Sequence, residues 1–152
     1  MAERTALAIA YCFGIQYGFY SGDKNRTVTQ IIKEDMQILK PTIFIAVPWI
    51  LEWLEEVIRQ KFDNSGFMKP LINYAVKTKL YYLKRGFYTH DFFDKIIFGQ
   101  IPEQIGGNVR IIFTGAAPIN PNTLDFLKIC FSVPIVECYG QSESSGPCFN
   151  TF

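Results

Sequence analysis

The run Glu137-Cys138-Tyr139-Gly140-Gln141-Ser142-Glu143-Ser144-Ser145-Gly146 follows an apolar segment and gathers an aromatic ring, an amide, hydroxyls and a carboxylate within ten positions. Tyr139 offers a π face on which a planar base can lie, and Gly140 permits a sharp turn. Ser142 can donate to a phosphate oxygen. Glu143 by itself would repel a phosphate, so its presence here makes sense with a Mg²⁺ ion between the two anions. A second cluster, Thr114-Gly115-Ala116-Ala117-Pro118, also follows an apolar run. Its side chains are small enough to let a flat ligand approach the backbone, and Pro118 stiffens the turn. Taken singly, each cluster reads as an ordinary turn or polar loop. Two of them after neighbouring strands, 24 residues apart from Gly115 to Tyr139, point to one shared site.

Other chemistries fit less well. Gly140-Gln141-Ser142-Glu143-Ser144 is one glycine short of the hydrolase elbow G-x-S-x-G, and the single histidine, His90, precedes the serine where that fold requires it to follow. Ser21-Gly22-Asp23-Lys24 lacks the spacing of a phosphate loop and reads as a solvated turn. Cys12, Cys130, Cys138 and Cys148 form no C-x-x-C pair and have only His90 for company, so they read as buried reduced thiols, not zinc ligands. His90 itself reads as a surface or capping residue with nothing to pair it. Asn25-Arg26-Thr27 is a glycosylation triplet that would stay idle in a cytosolic setting.

The elements that must position these residues follow from the patterning. Residues 3–18 read as a helix stopped by Gly18, with a short strand over 19–22. Thr27 caps a second helix running to about Leu39, which Pro41 ends. The continuous apolar run 42–47 predicts a strand covered on both faces. Pro48 opens a helix along which Ile50, Trp53, Leu54, Val57, Ile58 and Lys61 recur at helical spacing, with Glu52, Glu55 and Glu56 ahead of Arg59 and Lys61. Helices are expected over 67–85 and 91–98, a strand over 108–115, a helix over 121–131 and a last strand over 134–140. Alternation of this kind predicts an α/β fold, a mainly parallel sheet flanked by helices. In such sheets ligands bind beyond the carboxyl ends of the strands, where both polar clusters fall.

Composition narrows the classes further. The 152 residues are 49% hydrophobic and 16% aromatic, enough to bury about two-thirds of the unfolded surface in one core. Fifteen basic against fourteen acidic residues leave +1, which excludes a nucleic-acid partner driven by bulk charge. Glu3 and Arg4 interrupt any signal peptide, and the apolar run from Ile43 to Leu51 holds Pro48 and is too short to span a bilayer. Lys69, Lys77, Lys79, Lys84 and Arg85, interleaved with Tyr81, Tyr82 and Leu83, allow either peripheral contact with an anionic membrane or a solvated helix face whose aromatic side packs inward, the second being the more ordinary arrangement.

The segments "KPTIFIAVP", "VRIIFTGAAPINPNTLDFLKICF" and "PIVECYGQSES", with the opening "AERT" and "GFYSGD", resemble the long-chain acyl-CoA synthetases of the adenylate-forming, AMP-binding superfamily, over nearly the whole chain and in order. The resemblance implies that residues 1–152 are part of the large adenylation domain of a long-chain fatty acid–CoA ligase. Such an enzyme activates a fatty acid with ATP to an acyl-adenylate and passes the acyl group to coenzyme A. Tyr139 would then stack on adenine, with Gly140 and Gln141 beside it. Ser142 would contact the phosphate and Glu143 would coordinate Mg²⁺, these two serving catalysis. Gly115, Ala116, Ala117 and Pro118 would line the nucleotide pocket, the first three also facing the acyl group. Ser142 stands where the family usually has threonine, and Trp49 follows "AVP" where arginine is common. The family's phosphate loop, ribose-binding aspartate and lysine-bearing lid have no counterpart in these residues, so the chain alone is expected to be inactive. A truncated non-catalytic paralogue, or an incompletely assigned gene of the same family, is the competing reading. The family also implies a place on the cytoplasmic side, peripheral to the endoplasmic reticulum or another membrane.

Overall fold

A computed structural model of the chain describes residues 2–19, 21–22, 27–141, 143 and 146–151. Four strands form one sheet in the order β1 (Ile43–Ala46), β2 (Ile111–Gly115), β3 (Ile135–Gln141) and β4 (Gly146–Thr151). The first three are parallel, and β4 turns back antiparallel to β3. The helices are α1 (Ala2–Phe13), α2 (Val28–Leu39), α3 (Pro48–Asp63), α4 (Lys69–Leu83), the single turn α5 (Asp91–Phe93), which runs on into a π-helical turn over Asp94–Phe98, and α6 (Pro121–Phe131).

The helix-rich connections cover one face of the sheet. Phe44 and Ala46 of β1, Ile112 of β2 and Ile135 of β3 are buried in one apolar cluster with Leu51, Leu54 and Ile58 of α3, Ala75 of α4, and Leu127 and Ile129 of α6. The other face is open at β1, where Ile43 and Ile45 are 50% and 49% exposed. The expectation of a strand covered on both sides therefore fails: apolar composition shows that a residue can be buried, but the neighbouring layers decide whether it is.

Local chemistry explains most boundaries. Helix α1 ends at Phe13, earlier than Gly18, because Gly14 takes a left-handed φ of 64° and the Ile15 N–H donates back to the Ala10 carbonyl at 2.9 Å. That is the Schellman closure, for which glycine is the favoured residue. Of 19–22, the described residues 19, 21 and 22 lie in no strand. Thr27 does precede α2, its N–H donating to Gln30 Oε1 at 3.4 Å, and Pro41 follows the left-handed Lys40 that closes the helix. Pro48 opens α3 at the first helical position, where its missing N–H leaves no bond unmade. Glu55 pairs with Arg59 at 2.7 Å, and the Arg59 guanidinium lies 4.0 Å over the Phe126 ring.

Lys79 lies inside, only 1% exposed, where the sequence reading placed it among surface cations. Its ammonium donates to Asp94 Oδ1 at 2.5 Å, the Ile129 carbonyl at 2.5 Å and Ser132 Oγ at 2.8 Å, and sits 4.7 Å over the Phe98 ring. Burial lowers its pKa against the opposing pull of Asp94. A cation held at the carboxyl end of α6 also complements that helix's dipole. Lys79 thus ties α4, the π turn and α6 together. The lone histidine is likewise engaged: the His90 ring packs 5.3 Å from Tyr82 and 4.7 Å from Phe93, and its backbone N–H donates to Asp94 Oδ2 at 2.7 Å. All four cysteines are free, but only Cys130 is fully buried; Cys12 and Cys148 are exposed, contrary to the expectation of buried thiols.

Candidate nucleotide site

Strands β2 and β3 run side by side with Thr114 opposite Glu137 and Gly115 opposite Cys138. The ladder ends at that last pair, so the turn that starts at Ala116 and the exposed end of β3 that starts at Tyr139 leave from the same level of the sheet. The two polar clusters therefore meet at the carboxyl edge of the sheet, as the alternation of elements predicted.

The first cluster is a turn held at both ends. Gly115 is fixed by β3: a Cβ there would lie 2.5 Å from the Cys138 carbonyl oxygen, so no larger residue fits without moving a strand. Its small size serves the sheet as well as any ligand. Ala116 has φ of 73°, a region that costs a residue with a Cβ about 1–2 kcal/mol. Ala117 and Pro118 are exposed, whereas Ile119 anchors the far side in the core. Asn120 then caps α6, its Oδ1 accepting from the Asn122 N–H at 2.9 Å. Beneath the turn, the Thr114 hydroxyl is buried and finds no hydrogen-bond partner among the described residues. An orphaned buried hydroxyl is costly, and this one lies two residues before the left-handed Ala116.

The second cluster begins inside the strand expected over 134–140: Tyr139 and Gly140 belong to β3, which Gln141 extends by one residue, and the three pair with Phe149, Pro147 and Gly146 of β4. The register slips between Tyr139 and Gly140, where β4 carries the extra residue, Cys148, and Gly140 continues the strand where a sharp turn was expected. Tyr139 is 56% exposed and its hydroxyl accepts from Gln141 Nε2 at 2.8 Å. The Phe149 ring lies 6.3 Å away, tilted by 34°. Glu143 is exposed just past the strand end, and Ser142 lies outside the described residues. Burial raises the Cys138 pKa, which keeps that thiol protonated and argues against a nucleophilic role.

The donor set bears on which groups the site can hold. Among the described residues, no three His, Cys, Asp or Glu side chains gather as a metal cage. A single exposed carboxylate is nevertheless adequate for Mg²⁺, which prefers one or two carboxylates together with phosphate oxygens and water. An exposed tyrosine face beside a turn of small residues is compatible with a planar base.

The sequence pattern of AMP-binding enzymes matches residues 1–152, the whole chain. The chain belongs to the AMP-binding enzyme family. Within that family it is 34% identical over 149 residues to long-chain-fatty-acid–CoA ligase 6 of Rattus norvegicus, covering 97% of this chain and 20% of the rat protein. It is 35% identical to the peroxisomal long chain acyl-CoA synthetase 7 of Arabidopsis thaliana, covering 94% of this chain and 20% of that protein. Long chain acyl-CoA synthetase 3 of the same plant is 38% identical over 137 residues, 87% of this chain and 20% of its own length. The chain thus spans about a fifth of the length of these relatives.

Two solved adenylation domains share the fold. The A-PCP didomain of carboxylic acid reductase from Segniliparus rugosus, in complex with AMP, superposes with a TM-score of 0.52 at 22% identity, covering 78% of this chain and 14% of its own. The adenylation domain of the carboxylate reductase from Mycobacterium chelonae gives 0.55 at 24% identity, covering 78% and 16%. Sequence reasoning passed over Phe149, which packs beside Tyr139 from β4, a strand too mixed in polarity to announce itself.

Proposed function

We propose that this chain is a segment of the adenylation domain of a long-chain fatty acid–CoA ligase and supplies one wall of its ATP site. The observation that supports the reading is the β2–β3 register, which ends with Gly115 opposite Cys138, so that the Gly115–Pro118 turn and Tyr139 both follow from the carboxyl end of the same strand pair. In the reaction a fatty-acid carboxylate oxygen attacks the α-phosphorus, the bond to pyrophosphate breaks, and a mixed acyl-phosphate anhydride forms. The coenzyme A sulfur then attacks the acyl carbonyl and AMP leaves. The first step brings anions together, so positioned donors and positive charge must offset their repulsion.

Each residue's part follows from its chemistry. The exposed face of Tyr139 receives adenine, its tilt steadied by Phe149 and by the Gln141 amide on its hydroxyl. Gly115, Ala116 and Ala117 supply a wall without side-chain bulk, along which adenine and the acyl group pass, and Pro118 keeps the turn rigid. Ser142 offers a hydroxyl donor to a phosphate oxygen, and Gly140 and Gln141 continue the strand beyond Tyr139. Glu143 supplies the carboxylate for Mg²⁺, which when bound neutralises charge on the phosphates.

This reading extends to the whole protein. The other groups that adenylation requires, a phosphate loop and a lid lysine, are not among the 152 residues, so the chain by itself makes no acyl-CoA. The longer protein carrying this segment would act on the cytoplasmic side, peripheral to the endoplasmic reticulum or another membrane. Fatty-acid-dependent exchange of pyrophosphate into ATP tests both claims. The purified 152-residue chain should give none, and exchange above background would overturn its inactivity. In a longer protein containing this segment, Glu143→Ala should lower exchange at least about 100-fold at any Mg²⁺ concentration. Unchanged exchange would remove Glu143 from its role.

A further inference from the structure

We draw no further inference here: the strongest candidate, the open apolar face of β1 on which Ile43 and Ile45 stand half exposed, carries none because nothing in the structure shows what covers it.

Discussion

The two halves of β3 obey different rules. Ile135 and Val136 are sealed, beside β2 and the layer that α3 and α6 build. Tyr139, three residues past Val136, is more than half exposed. The first half pairs with β2, which stops at Gly115; the second runs past it and pairs only with β4, beyond the cover of the helices. One strand therefore serves the core at its start and presents side chains at its end. The change occurs where a neighbouring strand terminates, which is why a ligand edge forms there.

Substitutions should separate the two regimes, and the largest effect belongs to the packed side. Lys79→Met keeps the stem but leaves Asp94 without its cation and the Ile129 carbonyl without its donor. Because Asp94 still accepts the His90 N–H, the cost should be near the low end for a broken buried pair, about 3 kcal/mol in denaturant unfolding. A loss below about 1 kcal/mol would mean that the three contacts contribute little net stability.

At the boundary between the halves, Gly115→Ala should cost about 1–3 kcal/mol, because its Cβ meets the Cys138 carbonyl and a strand must shift. One residue on, Ala116→Gly should do the opposite. It relieves a left-handed alanine and gains up to about 1 kcal/mol once the greater freedom of glycine in the unfolded chain is counted. Equal destabilisation by both would show that the turn tolerates no change at all.

The alkaline limb sharpens the contrast through two buried groups of opposite sign. Burial pushes the Cys130 thiol well above its ordinary 9.0, so above that pH the unfolded chain releases a proton the folded chain keeps. Stability then falls with rising pH, by about 1.4 kcal/mol for each unit. Burial lowers Lys79, so below 10.5 the unfolded chain holds the extra proton and stability rises with pH instead. Unfolding of wild type and Cys130→Ala compared at about pH 8 and about pH 10 should show the variant losing less on the alkaline side. Parallel losses would exclude the thiol.

The smallest effect is expected at the exposed end. Tyr139→Ala should change stability by no more than about 0.5 kcal/mol, since its ring touches chiefly Phe149 and Gln141, both exposed. A large loss there would make Tyr139 a packing residue and weaken its assignment to a ligand.

Much of this was legible in the sequence. Helix α6 occupies 121–131 as read, because Asn120 and Pro121 open it with unambiguous start chemistry and the apolar runs on both sides can only be strands. Pro48 and Pro41 fixed two further boundaries for the same local reason. Both clusters of the candidate site were visible from composition alone, since glycine, small residues and hydroxyls rarely gather where an apolar run ends. Gly14 was missed in favour of Gly18: either glycine could close the helix, and only the φ each adopts distinguishes them.

Nonlocal contacts decided the rest. The residues of Ile43–Ala46 state that a strand is apolar, but not that one of its faces would be left open. Lys79 reads as a surface lysine until Asp94, Ile129 and Ser132, which lie 15, 50 and 53 residues away, converge on it. Strand β4 is too mixed in polarity to declare itself and exists through its pairing with β3. The sequence by itself determined which residues could do chemistry, and the boundaries that prolines and caps mark, because such signals act over a few residues. Tertiary structure alone decided which face was covered, which lysine was buried and that Gly115 would pair with Cys138, because burial and register are properties of neighbours far apart along the chain.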